Sequence, residues 1–339
     1  MDLSTTYLGL ALRNPVVASA SPLSQSVEGV KRLAGGGVGA VVLYSLFEEQ
    51  LRREAELNAR LSDAGADAFG ESLSYFPVAA QENLGPRRYL SLLERAVRAV
   101  DVPVIASLNG ITAGSWAGYA QAMQDAGASA IELNIYYLPG DPQISGREVE
   151  RRYLDVLQAV KAATSVPIAV KLSPYFSSTG EMARLLDDAG ADGLVLFNRF
   201  MQRDIDCEKV TMIANVSLSS PAEARLPRTW ISLLHGRVRA SLAATTGVED
   251  AGDVVKYLLA GADVVMTTSA LLRHGPEHAG VLLDGVSEWM RRKGFASVGD
   301  FRGLLAAPRG AEQAGQERTD YVEAMTHAND GAYGPWSGG

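Results

Sequence analysis

Residues 123–135 read MQDAGASAIELNI: a helical pattern stops at Gly127 and a β-prone apolar run follows within three residues. A glycine in that place can take the left-handed conformation that closes a helix. The same join recurs at 33–45 (LAGGGVGAVVLYS), 185–198 (LLDDAGADGLVLFN) and 258–269 (LLAGADVVMTTS). Three further apolar runs open at proline, at 14–20 (NPVVASA), 102–109 (VPVIASLN) and 166–173 (VPIAVKLS). Proline at a strand start removes no central ladder hydrogen bond, so the placement is physically sensible. With RASLAATT at 239–246 there are eight runs, each followed by a segment long enough for a helix.

Strictly alternating strand and helix predicts a parallel sheet. The runs are nearly continuous in Val, Ile, Leu and Ala, as strands covered on both faces are. Eight of them favour an α/β fold of the closed (β/α)8 TIM-barrel type over residues 1–305. A lid insertion (Glu48 to Leu84) is expected after the second strand, and a Gly-rich, polar and loosely ordered C-terminal tail over 306–339. A doubly wound open sheet is the alternative, but the first strand–helix joint, ASASPLSQS, has no Gly-rich dinucleotide fingerprint.

The 339 residues carry a formal net charge of −8, which argues against a general nucleic-acid binder. The opening MDLSTTYLGL has no basic region followed by an apolar run, and no stretch approaches the roughly 20 apolar residues of a membrane span. The expectation is a cytoplasmic protein acting on a small molecule. Cys207 is the single cysteine, so internal disulfides and thiolate metal clusters are excluded, and a free incidental thiol is favoured. The four histidines show no metal-ligand spacing on strand ends, so no metal is expected.

In a barrel the chemistry belongs at the C-terminal strand ends. Those ends carry Ser19 to Ser21, Tyr44 and Ser45, Ser107 to Asn109, Asn134 to Tyr137, Lys171, Asn198, Thr245 to Gly247 and Thr267 to Ser269. Lys171 closes AVKLS, where a partly desolvated ammonium needs a partner: a flavin's electron-rich edge, a Schiff base, or a plain ion pair with Glu132. Asn109, Asn134 and Asn198 end three strands and together suggest a ring of amides around one planar ligand, although each alone could serve a turn. TTGV and TTSA each precede a helix and suggest a phosphate cradle of backbone N–H groups, with N-capping by Thr246 and Ser269 as the plainer alternative.

Read in order, NPVVASAS, GAVVLYS, ASLNG, ELN followed by PGDPQ, VKLSPYF, TTGV and KGFASVGDFRG resemble the dihydroorotate dehydrogenase family, especially its soluble FMN-only class. The resemblance covers nearly the whole chain. It implies an FMN-binding oxidoreductase acting on a CH–CH bond, converting dihydroorotate to orotate in pyrimidine biosynthesis, and commonly a homodimer. It places Ala20, Ser21 and Ser45 about the flavin, where the strand-end reading adds Asn109 and Asn134, with Lys171 at the reducible edge and Thr246, Gly247, Thr268 and Ser269 around the phosphate. Tyr44, Asn83, Asn134 and Asn198 then face the substrate.

Two departures from the family bear on chemistry. Its segment after ELN carries a Cys or Ser that removes the C5 proton, whereas ELNIYYLPGDPQ is two residues shorter and presents Tyr136 or Tyr137. A phenol has a reference pKa of about 10 and needs a strong shift to act as a base near neutrality. The family's Lys after the second strand is here Tyr44. The expected substrate is therefore dihydroorotate or a related cyclic or unsaturated compound. The alternatives are a catalytically silent FMN-binding subunit working with a redox partner protein, and a flavin-free phosphate-binding lyase or isomerase.

Overall fold

The computed structural model describes residues 1–50, 85–112, 116–200, 203–214, 217–308 and 312–327. Eight parallel strands form the barrel: β1 (Val16–Ala18), β2 (Ala40–Val42), β3 (Val104–Gly110), β4 (Ala130–Ile135), β5 (Ile168–Leu172), β6 (Gly193–Leu196), β7 (Ser241–Ala244) and β8 (Val264–Thr267). Each pairs with its sequence neighbour. The ring closes because β8 pairs with β1 and β2 with β3, which rules out the open sheet. The outer layer is α1 (Val27–Gly35), α2 (Pro86–Ala99), α3 (Trp116–Asp125), α4 (Gly146–Ala163), α5 (Thr179–Asp188), α6 (Arg225–Leu234), α7 (Ala251–Ala260) and α8 (His278–Lys293).

The repeated glycine join does what its sequence implied. Gly37, Gly127, Gly190 and Gly261 have φ of 108°, 92°, 92° and 114°, the left-handed region that glycine enters without strain. At the second copy Ala128 N donates to Met123 O and Gly127 N to Gln124 O, which satisfies the last carbonyls of α3 and turns the chain into β4. The prolines sit one residue before their strands and lend only their carbonyls. Pro15 O accepts from Val265 N, Pro103 O from Val41 N and Pro167 O from Ile131 N, at 2.7 to 3.0 Å.

Two apolar layers result. The larger lies between strands and helices. The smaller fills the barrel with Val17, Val42, Ile105, Ala130, Ala169, Val195, Ala243 and Val264, joined by Tyr7, Leu8 and Leu12. Those last three come from an N-terminal hairpin, Thr5–Tyr7 paired with Leu10–Leu12, which plugs the floor of the barrel. Leu8 N donates to Ser241 Oγ there. Gly193 makes room for the plug, since a Cβ on it would lie 2.4 Å from Leu8 Cδ2.

A second hairpin, Arg203–Asp206 with Thr211–Ala214, follows β6 and carries the exposed Cys207. The alternating-element reading does not contain it, because a short hairpin of mostly polar residues has no core-facing period. Most of the expected lid lies outside the described residues. Its first residue, Glu48, is buried and accepts the N–H groups of Ile111 and Thr112 at 2.7 and 3.1 Å, which latches the segment to the end of β3. In the expected loose tail, Glu312–His327 is helical. No described helix is long and apolar enough to cross a membrane.

Candidate functional site

Alternation along a strand sends every second side chain into the barrel. Ile105, Ala130 and Ala169 belong to the inner core, so Ser107 and Asn109, Glu132 and Asn134, and Lys171 follow them inward. Register then stacks them in layers. Ser107, Glu132 and Ala169 lie side by side, and above them Asn109, Asn134 and Lys171. The barrel is apolar at its floor and becomes polar toward the mouth.

Lys171 is 7% exposed and its Nζ is 3.5 Å from both Ser19 Oγ and Glu132 Oε1. These are long contacts for hydrogen bonds, so the three ammonium donors are far from saturated. Glu132 is fully buried. Although Lys171 is at ion-pair distance, neither carboxylate oxygen of Glu132 has a hydrogen-bond partner among the described residues, and nor does the buried Tyr7 hydroxyl. Burial and then the Glu132 charge hold the Tyr7 phenol well above the ordinary tyrosine range. The plain ion pair expected for Lys171 is thus present, at a strand end that also suits a ligand.

Asn198 follows β6, and its Nδ2 donates to Asn134 Oδ1 at 2.7 Å; Asn109 stands beside Asn134 in register. On the β2 side, Ser45 Oγ is 2.9 Å from Ser107 Oγ, and Ser107 N donates to Tyr89 Oη at 2.8 Å. Tyr44 packs edge-on against Tyr89 with ring centroids 5.2 Å apart. Burial pushes its phenol up, against a smaller opposing effect of Arg88. Ala20 is half-buried beside the inner core, and Ser21 caps the short turn Pro22–Ser24. Asn83 lies outside the described residues.

The two helix-edge joints after β7 and β8 meet. Thr246 and Gly247 both have left-handed φ, 83° and 72°. Neither Thr246 nor Ser269 caps a helix: Asp250 caps α7 through a reciprocal pair with Asp253, and Thr268 occupies the N-cap position of the short helix Ser269–His274. Thr246 Oγ1 donates to Phe197 O, and Thr268 Oγ1 to Ser19 O. Between the joints lies Ser219, from the loop before α6. Its Oγ accepts from Gly247 N at 3.2 Å and lies 2.9 Å from Ser269 Oγ, which also accepts Ser219 N. A Cβ on Gly247 would lie 2.7 Å from Ala224 N and 2.8 Å from Ser220 O, so this loop and the β7 joint pack backbone against backbone. Arg273 donates to Ser219 O and pairs with Glu249, whose other oxygen is 2.7 Å from His274 Nε2. The His274 hydrogen bond first, then Arg273, hold the Glu249 carboxyl below its usual range.

The two candidate tyrosines part company. Tyr136 lies against Phe200, with centroids 4.3 Å apart, in a cavity of about 520 Å³ that also contacts Tyr175, Asn198, Thr246 and the Arg199–Glu223 ion pair. Tyr137 turns the other way, packs on the outer core and lies under the Arg152 guanidinium of α4 at 4.2 Å. A second hollow, lined by Arg13, Lys31 and Arg98, opens at the opposite end of the barrel and holds none of the site residues. Ser219, Glu249, Arg273 and Phe200 escape sequence reading because they stand in loops and a short helix without a periodic pattern. Among the described residues no cluster of His, Cys, Asp or Glu could hold a metal.

A closed parallel barrel with a buried lysine, paired amides and backbone donors gathered at its strand ends is a barrel-mouth enzyme. The family model described as dihydroorotate dehydrogenase matches residues 2–290. The catalytic subunit of dihydroorotate dehydrogenase B (NAD(+)) from Methanothermobacter thermautotrophicus is 28% identical, over 89% of this chain and 98% of that protein. Its counterpart from Methanocella arvoryzae is 30% identical over 86% and 94%. A putative dihydroorotate dehydrogenase A (fumarate) from Aeropyrum pernix is 28% identical over 89% and 97%. The chain belongs to the dihydroorotate dehydrogenase family, and it is an oxidoreductase of the class that acts on CH–CH bonds.

Proposed function

We propose that this protein is an FMN-dependent dehydrogenase that oxidises a CH–CH bond in a cyclic substrate other than dihydroorotate. The observation that carries the reading is the strand-end layer of Asn109, Asn134 and Lys171, in which a buried ammonium keeps unsaturated donors toward the mouth. These residues fit a flavin, whose reduced ring is anionic at one edge and is favoured by a fixed cation. Lys171, Ser19, Asn109 and Asn134 would hold the ring. Gly247, Thr268 and Ser269, with Ser219, would hold the phosphate through N–H and hydroxyl donors. When bound, FMN supplies the two-electron acceptor.

Binding and proton transfer fall to the chain. Asn198 fixes the Asn134 amide, and Tyr136, the tyrosine in the cavity with Asn198, is the residue that takes the proton from the substrate carbon, acting as the phenolate left when its own proton passes to solvent through the cavity. Tyr44 puts an uncharged phenol where the family has a lysine, which removes a partner for a substrate carboxylate. The walls of Tyr136, Tyr175, Phe197 and Phe200 favour a ring, and Arg199, Glu223 and Arg225 at the same cavity favour polar substituents on it. Relatives named as catalytic subunits support a partner protein as the outlet for electrons.

An anaerobic visible spectrum of the purified protein, repeated with excess dihydroorotate, tests both parts. Flavin bands that persist are the expected result. Bleaching by dihydroorotate would overturn the substrate assignment, and a colourless protein that takes up no FMN would overturn the cofactor.

A further inference from the structure

Glu132 occupies a place where a carboxylate is costly. It is fully buried between Ser107 and Ala169 in the barrel interior, one layer below Asn134 and Lys171. A charge in such surroundings is strongly disfavoured unless it is paired, and ion pairs of this kind can often be replaced by apolar residues without loss of stability. Packing alone therefore gives no reason for an acid here. Its one cationic neighbour among the described ion pairs is Lys171 Nζ, 3.5 Å from Oε1. The contact is through charge and not through an aligned hydrogen bond, since both carboxylate oxygens lack hydrogen-bond partners among the described residues. Apart from the long contact to Ser19 Oγ, the ammonium thus keeps its donors for what lies above it. Tyr7 closes the other side from the floor plug, with its own hydroxyl unpartnered, and burial and the Glu132 charge together raise its phenol.

We propose that Glu132 is a positioning residue: its carboxylate is the buried counter-charge that holds the Lys171 ammonium at the mouth and limits how strongly that lysine favours a reduced, anionic ligand. Glu132 lies a layer below the mouth, so it acts through Lys171 and does not itself touch the ligand. The flavin part of this statement rests on the function proposed above. With the carboxylate removed, the lysine charge is uncompensated and favours the reduced ring more strongly. With the lysine also removed, there is no cation for Glu132 to compensate.

The test uses the full chain loaded with FMN, with Glu132→Gln, Glu132→Asp, Lys171→Met and the Glu132→Gln/Lys171→Met double variant. The flavin midpoint potential is read by equilibration with a reference dye. Glu132→Gln is expected to tighten reduced over oxidised FMN about tenfold, equivalent to a rise of about 30 mV for a two-electron couple. Glu132→Asp is expected to return most of the way to wild type, and in the Lys171→Met background Glu132→Gln should shift the potential far less. Equal shifts in both backgrounds, or none in either, would overturn the proposal. Thermal unfolding of the same four proteins without flavin reads the pair independently: each single substitution should lower Tm and the double variant should lose less than the sum. Additive losses would overturn the pairing. A wild-type chain that takes up no FMN would instead overturn the cofactor assignment, and the unfolding cycle would still decide whether Glu132 and Lys171 are coupled.

Discussion

Asn198 Nδ2 donates to Asn134 Oδ1 at 2.7 Å across the mouth end of β5, the strand that lies between theirs and carries Lys171. The bond commits the Asn134 oxygen and leaves its amide N–H groups for another acceptor. Asn198→Ala strips a half-buried partner from a buried amide, and Asn198→Asp sets oxygen against oxygen. Each is expected to cost about 1–3 kcal/mol in urea unfolding, the usual penalty for an unmade buried hydrogen bond. FMN titration of Asn198→Ala should show weaker uptake, and unchanged uptake would remove the pair from the flavin site.

The opposite facing of Tyr136 and Tyr137 gives a sharp contrast. Tyr136→Phe keeps the Phe200 contact but removes the hydroxyl from the cavity, and flavin reduction by a substrate should slow about 10²–10⁴-fold, the range for a lost acid–base group. Tyr137→Phe keeps a ring under Arg152 outside the mouth and should leave that rate within a few-fold of wild type. Stopped-flow reduction compares them directly, and the reverse order would assign the proton transfer to Tyr137.

Gly247 has φ of 72° and no room for a Cβ, because the atoms it would meet are the backbone of Ser220 and Ala224 and the Cβ of Ala224. Gly247→Ala therefore combines left-handed strain with a clash that no rotamer relieves, at a cost of about 1–3 kcal/mol. The local outcome is a displaced Ser219 loop. FMN affinity should fall more than global stability does, as measured by fluorescence quenching alongside urea unfolding.

Glu249 ties the β7 joint to Arg273 and His274, and its carboxyl is held below the ordinary range. The sign follows from the depressed folded value: the stabilisation is fully present above the unfolded glutamate range, about pH 4.3, and is lost as pH falls through the lower folded value. Glu249→Gln should therefore lower Tm at pH 6, and the gap from wild type should close in the acid range below pH 4. A gap that stays constant with pH would mean that the carboxylate charge contributes nothing.

Much of the fold is legible along the chain. The four glycine joins, the three proline-led strands and the near-continuous apolar runs are local signals, because helix closure, ladder bonding and burial each act over a few neighbouring residues. The same locality explains why Lys171, Asn109 and Asn134 could be placed at strand ends from spacing alone. Which way a residue faces beyond the strand end is not local. Tyr136 and Tyr137 are adjacent and chemically identical, and only the docking of α4, with Arg152 over one ring, and of Phe200 against the other separates them.

The sequence by itself determined the order of strands and helices and the residues that crown them, since those depend on period and turn chemistry. Tertiary structure alone decided three things: that Tyr7 plugs the floor beneath Glu132, that Ser219 reaches between the joints after β7 and β8, and that Glu249 gathers Arg273 and His274. Each is a contact between segments far apart in the chain, made by loop or hairpin residues whose positions follow no period. They are fixed only once the barrel closes and brings its ends together.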